Sequence, residues 1–195
     1  GSFYEASEAG CRKSATELIE SARLPDDLPA GVCGGLVPHA GWMFSGTTAA
    51  LTLKALDRAG RLERVVLFGA DHWGLAGSGA VHDRGSWQTP LGEVAVDEEL
   101  AAALLESVDA LSAQPSAHAR EHSIEVQLPL MQVLNPNVRI VPVGISAQAG
   151  ADEVGRAVGR VLNERFGEAS VLGSTDLTHY GPQYGFTPGG AGRAG

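Results

Sequence analysis

Positive charge is scarce in this chain. Only two lysines occur, Lys13 and Lys54, and 14 basic side chains face 23 acidic ones, giving a formal charge of −9. No Lys/Arg block is present, so a polyanion would be repelled rather than steered in. Nucleic acid is therefore not an expected partner, and an acidic membrane surface is equally disfavoured. Long apolar runs are missing as well. No stretch approaches the roughly 20 residues needed to span a bilayer, and none is laid out like a signal peptide. Cysteine is limited to Cys11 and Cys33, with no CxxC and no disulfide framework. A reduced, cytoplasmic setting is the expectation, and a thiol nucleophile is not indicated.

What the chain does have is enough apolar residue for a core. They make up 44% of it against 19% charged, which excludes global disorder. Many of the 26 glycines sit beside apolar runs, as tight exits from strands require. The chain opens on GSFY without an initiator Met and closes on GFTPGGAGRAG. Residues 1–185 are expected to form one α/β domain. Residues 186–195 read as a glycine-rich tail or as the start of a missing C-terminal portion.

Helix and strand signals alternate along the chain. Helical spacing covers Cys11–Ala22, a short apolar strand Val32–Val37, a second helix Ser45–Ala59, and a clear strand Arg64–Phe68. Short strand-like pieces, SGAVHD and EVAVD, follow, and then a helix Asp97–Glu106 with Asp97 as its cap. Arg120–Val133 is expected to be helical, with Pro129 kinking or restarting it. VRIVPVGI is a strand, Gly150–Glu164 a helix, and Ala169–Leu172 the last strand. The pattern predicts an α/β fold of three layers, with a central, mostly parallel or mixed sheet flanked by helices.

In such a sheet the binding crevice lies outside the carboxyl ends of the strands. His39 comes two residues after Val37, His72 four after Phe68, and His179 seven after Leu172. All three reach one edge of the sheet if their strands run parallel. Imidazole ligates iron, copper or zinc, and an unbound histidine moves protons near neutral pH. Two histidines with one anionic ligand make a familiar non-haem iron arrangement, and Asp71 and Asp176 are near enough in sequence to accept from the second ring nitrogens. Each histidine also has an ordinary reading, as a helix cap, a loop tie or a buried polar group. His82 alternates with apolar residues and reads as structural. His118 and His122 are spaced four apart, one helical turn; His122 is read as a site-lining acid or base and His118 as surface. Trp42, Trp73 and Trp87 flank turns near the proposed edge, as pocket walls or as core anchors.

Six stretches in order along the chain also resemble a known family: GSFYEAS at 1–7, PHAGWMFSG at 38–46, GADHWG at 69–74, WQTPLG at 87–92, EHSIEVQLP at 121–129 and STDLTHYG at 174–181. They are similar to the Memo-like proteins, which include component B of the AmmeMemoRadiSam system and an animal mediator of cell motility. The resemblance implies an α/β fold like that of class III extradiol (LigB-like) non-haem iron dioxygenases. It implies His39 and His72 as ligands of iron or copper, with zinc as a further option. The remaining ligand would be a cysteine supplied after the DxxHYG motif, beyond Gly195. His179 and His122 become the catalytic groups, with Asp71, Trp42, Trp73, Asp176 and Tyr180 lining the pocket.

Three functions follow from these readings. The first is an oxygen-dependent redox enzyme acting on a small molecule. The second is a non-enzymatic metal- or peptide-binding module, with a radical SAM protein as its implied partner. The third is a zinc hydrolase using Asp71 or Asp176 as an added ligand.

Overall fold

A computed structural model describes residues 2–146 and 150–188. Among them the chain order is α1 (Glu8–Ser21), β1 (Gly34–Val37), α2 (Trp42–Arg58), β2 (Arg64–Ala70), β3 (Ala80–Val81), β4 (Ser86–Thr89), β5 (Gly92–Val96), α3 (Glu98–Ser107), β6 (Ser112–Ala113), α4 (Leu128–Leu134), β7 (Arg139–Ile145), α5 (Ala151–Arg165) and β8 (Ser170–Ser174). The sheet runs β1-β8-β2-β7-β3-β6, and the β4–β5 hairpin joins it through β5 on β7. β1, β8, β2 and β7 are mutually parallel, whereas β3 runs antiparallel to β7. The sheet is thus mixed and mostly parallel, as expected.

Strands buried on both faces explain the unbroken apolar runs in the sequence. On β2, Val65 and Leu67 face a core shared with α1, α2 and α4, while Val66 faces a second core shared with α3 and α5. Period-two alternation of side chains sorts them into these two layers. Among the described residues no helix is long and apolar enough to cross a membrane.

Several boundaries differ from expectation for identifiable reasons. α1 begins at Glu8, before Cys11, because the Ser7 hydroxyl accepts from the Gly10 N–H at 3.2 Å. α2 begins at Trp42, three residues before Ser45, with Gly41 in the cap position. The largest departure is the expected helix 120–133. Only a 3-10 turn at Glu125–Gln127 and the short α4 form, with Pro129 in the first turn of α4. A proline there forfeits no helical hydrogen bond. The residues before it stay non-helical, which frees Glu121 and His122 for the strand-end site. The expected tail falls partly outside the described residues, from 189 onward. Phe186 still pairs with Gly181 in an isolated antiparallel bridge.

Candidate metal centre

Because β8 lies between β1 and β2 and all three are parallel, their carboxyl ends meet at one edge. Val37 is in register with Ser174, and Phe68 with Gly173. The loop after β1 delivers His39, which is buried. Its N–H donates to Asp176 Oδ1 at 2.7 Å, and its Nδ1 lies 3.2 Å from Ser174 Oγ. Ser174 has one hydroxyl proton, already given to the Ser123 carbonyl at 2.5 Å, and it also accepts from Gln127 Nε2. His39 Nδ1 must therefore be the donor, which leaves the lone pair on Nε2.

The loop after β2 delivers His72, whose Nδ1 lies 2.9 Å from Glu121 Oε1. Burial alone would raise the Glu121 pKa. Hydrogen bonds from the Ser123 N–H and from the His72 ring and N–H outweigh burial and hold it down to about 2. An ionised carboxylate only accepts, so Nδ1 of His72 is the donor, and in the neutral ring that tautomer leaves the lone pair on Nε2. Two histidines from different loops are locked in the same tautomer by different partners.

His122 completes the group. Its ring stacks on His72, with centroids 4.8 Å apart and planes 19° apart, and on Phe3 at 4.4 Å on its other side. His39 stands edge-on to both, at 5.3 and 5.6 Å. One ligand atom from each of His39, His72 and His122 lies within 4.8 Å of the others. Tetrahedral ligation at ordinary metal–nitrogen lengths needs nitrogens about 3.4 Å apart, so side-chain shifts of about 1 Å close the set. Burial lowers the pKa of His39 and His122 against the upward pull of nearby Asp176 and Glu121. Both stay neutral at physiological pH, the state a ligand needs. In donor type, protonation and spacing, the trio fits a transition-metal ion.

The sequence placed His39 and His72 together, as the structure does, and put His122 in the same cleft as an acid or base. A third candidate donor thus comes from within the described residues, where one from beyond Gly195 was expected. His179 stays outside the trio, half exposed, with its ring 5.1 Å from Tyr184. Its Nε2 lies 3.8 Å from Asp176 Oδ2, and so does the Nε2 of His39. Asp176 stands between the two.

Asp71 departs from its expected task of orienting a histidine. It accepts from the N–H groups of Leu75 and Ala76 and from Ser146 Oγ, at 2.8, 2.9 and 2.6 Å, and so shapes the turn after β2. It still borders a strand-end cleft of about 330 Å³ with His72, Ser146, Ser174 and Thr175. Trp42 belongs to the core and donates to the Val126 carbonyl. Trp73 is 50% exposed, bonded to the Arg120 carbonyl with the Arg120 guanidinium over its ring. Tyr180 lies nearby on the same loop as His179, and is partly exposed.

His118, read from the sequence as surface, is instead buried, donating to the Ala80 carbonyl at 3.0 Å. No helix joins it to His122; it ends a 3-10 turn, Pro115–His118. His82 is structural as expected, accepting from the Trp87 indole at 2.7 Å. That places Trp87 beside His82 and His118. Sequence reasoning missed Glu121, Ser174 and Phe3 as parts of the site. Glu121 adjoins His122 in the EHS triplet, but an assumed helix turned the two away from each other.

Gly69 sits directly beneath this assembly. A Cβ there would come within 2.6 Å of Ile124 Cγ1 and 2.7 Å of Ser123 Oγ. Gly69→Ala should therefore cost about 1–3 kcal/mol through overpacking and push the 121–124 segment off His72. Urea denaturation checks this, and an unchanged midpoint would mean that the segment yields freely.

A family model described as Memo-like protein matches residues 1–191. A MEMO1 family protein of Thermococcus onnurineus is 42% identical over 163 residues, covering 80% of this chain and 56% of that protein. The corresponding protein of Methanopyrus kandleri is 41% identical over 191 residues, covering 93% of this chain and 68% of its own. That of Thermococcus kodakarensis is 42% identical over 194 residues, covering 96% and 66%. The chain thus spans little more than half to about two thirds of these relatives. With a family model matched from residue 1 to residue 191 and such identities along its length, the chain belongs to the Memo-like family.

Proposed function

We propose that this chain holds one transition-metal ion, iron or copper, between His39, His72 and His122. The observation that carries the reading is the double tautomer lock. Ser174 and Glu121 each engage the Nδ1–H of one ring, so that the neutral tautomers of His39 and His72 direct their Nε2 lone pairs away from these partners, beside a third imidazole. When bound, an ion of this kind supplies Lewis acidity and, for iron or copper, electron transfer to oxygen. The chain's own groups do the rest. The cleft beside His72 accepts a small molecule, and the buried His39 side keeps water from that face of the trio. His179 and Asp176 stand at the open side, where the imidazole can take or return a proton beside the carboxylate. An oxygen-dependent redox enzyme acting on a small substrate is the activity this layout supports best.

A second reading is supported by the rim. Trp73, Leu75, Leu177, Tyr184 and Phe186 are large apolar side chains at least 46% exposed, on loops that follow β2 and β8. Such a rim suits a protein or peptide partner, and a radical SAM protein is one candidate. A zinc hydrolase would draw on the same three imidazoles.

Anaerobic titration with Fe(II), Cu(I) and Zn(II), followed by oxygen uptake with a catechol, separates these readings. Stoichiometric iron or copper with oxygen consumption is expected. Metal uptake without oxygen consumption, but with ester or amide turnover in the zinc form, would replace the redox activity by hydrolysis. Absence of uptake for every metal would end the metal reading. His179→Ala is expected to leave metal content unchanged while lowering turnover about 100-fold or more; lost metal would make His179 a ligand.

A further inference from the structure

Glu121 is a charged side chain in a nearly closed place. It is 9% exposed, and among the described residues its carboxylate accepts four hydrogen bonds. Oε1 takes the His72 Nδ1–H at 2.9 Å, the His122 N–H at 2.9 Å and the Ser123 N–H at 3.0 Å. Oε2 takes the His72 N–H at 3.0 Å. These four donors belong to two segments whose trio members, His72 and His122, are 50 residues apart in sequence. Among the described residues, none of these four bonds serves a helix cap, a sheet edge or the apolar core.

We propose that Glu121 is the positioning residue of the metal centre, clamping the His72 loop to the His122 segment and holding the His72 proton on Nδ1 so that Nε2 faces the ion. The inference rests on the metal-binding reading above. Three features of the geometry carry it. The carboxylate bonds to the ring of His72, lies 3.5 Å from Nδ1 of the His122 ring, and bonds to the backbone of both. The stack of His72 on His122 sets the two rings nearly parallel, so sliding one segment changes both ligand positions together. Finally, an anion placed behind a ligand makes the imidazole more basic and compensates the positive charge of the ion, as carboxylates behind ligating histidines generally do.

Glu121→Gln keeps the size and removes both the charge and half of the acceptor capacity. Whichever way the amide turns, its NH2 group faces a backbone N–H that formerly had an acceptor. The expected result is Co(II) binding about ten- to a hundredfold weaker than in the unaltered chain, with the circular dichroism of the fold retained. Long-range proton–nitrogen correlation of the imidazoles is the readout that a purely structural role would leave alone. In the metal-free protein His72 should appear as the Nδ1–H tautomer, and in the variant it should shift toward Nε2–H. Equal Co(II) affinity in the two proteins overturns the assignment. So does a His72 found as Nε2–H in the unaltered chain, a measurement that stands even if the variant fails to fold. Failure of the unaltered chain to bind Co(II) at all would instead overturn the metal reading beneath it.

Discussion

Replacing His39 by alanine should abolish tight metal binding, lowering affinity at least about a hundredfold, while the protein remains folded. His39 is the buried member of the trio and stands edge-on to the other two rings, so no neighbouring imidazole can take its place. The surrounding hydrogen bonds survive its loss. Ser174 Oγ still donates to the Ser123 carbonyl and accepts from Gln127, and the residue 39 N–H still reaches Asp176. The stability cost should be that of a modest cavity, about 1–3 kcal/mol. Competition titration with a chromophoric zinc chelator measures the first effect, and thermal unfolding of the metal-free protein the second. Retained nanomolar binding in the variant would remove His39 from the site. A collapse of the fold would mean that the histidine serves the core first. Metal should also raise the unfolding temperature of the unaltered chain and leave that of the variant unmoved.

The largest stability effect should come from the opposite end of the sheet. Asp97, 1% exposed, takes a two-pronged bond from Arg64, whose Nε and Nη2 lie 2.6 and 2.8 Å from its oxygens. The same carboxylate caps α3 by accepting from the Leu100 N–H at 3.1 Å, and Arg139 approaches it at 3.5 Å. Asp97→Ala would leave the largely buried Arg64 without its main counter-charge and α3 without its cap. Breaking a buried pair from one side costs about 3–5 kcal/mol, a large share of a typical domain's stability. Chemical denaturation checks this, and a cost below about 1 kcal/mol would show that Glu99 and Glu168, also bonded to Arg64, suffice.

The same pair predicts a pH dependence. Burial alone would push the Asp97 carboxyl up, but its bonds from Arg64 and Leu100 outweigh burial and hold it below the usual carboxylate value. A group depressed in the folded state contributes its stability above its unfolded pKa, about 3.9, and loses it as pH falls through the folded value. Stability of the unaltered chain should therefore fall below about pH 4, and the alanine variant should lose less over that window.

Much of this architecture could be read before any coordinates. The run RVVLF announced a strand, and Asp97 announced the cap of α3, because each rests on local chemistry. The convergence of His39 and His72 was legible for a topological reason: parallel strands deliver their exit loops to one edge. Where reasoning failed, a neighbour distant in sequence had decided the outcome. Helical spacing suggested one turn between His118 and His122, yet Ala80 and Glu121 draw the two into different surroundings. Asp71 looked like the acceptor behind His72 because it is adjacent, but adjacency in a turn sent it to Ser146 instead. The true acceptor comes from 49 residues away, a separation that spacing rules do not reach.

The position of β8 bears on when the three imidazoles first come together. It is the last strand in the chain among the described residues, yet it lies between β1 and β2 in the sheet. Until it is synthesised and inserted, the loops bearing His39 and His72 have no shared edge, and Ser174 is not there to set the His39 proton. A nascent chain that has already exposed all three imidazoles therefore offers only scattered, weak donors. The three imidazoles come together only when β8 inserts between two partners that precede it in the chain. On the proposed metal reading, the order in which the sheet is assembled would keep the trio from loading prematurely.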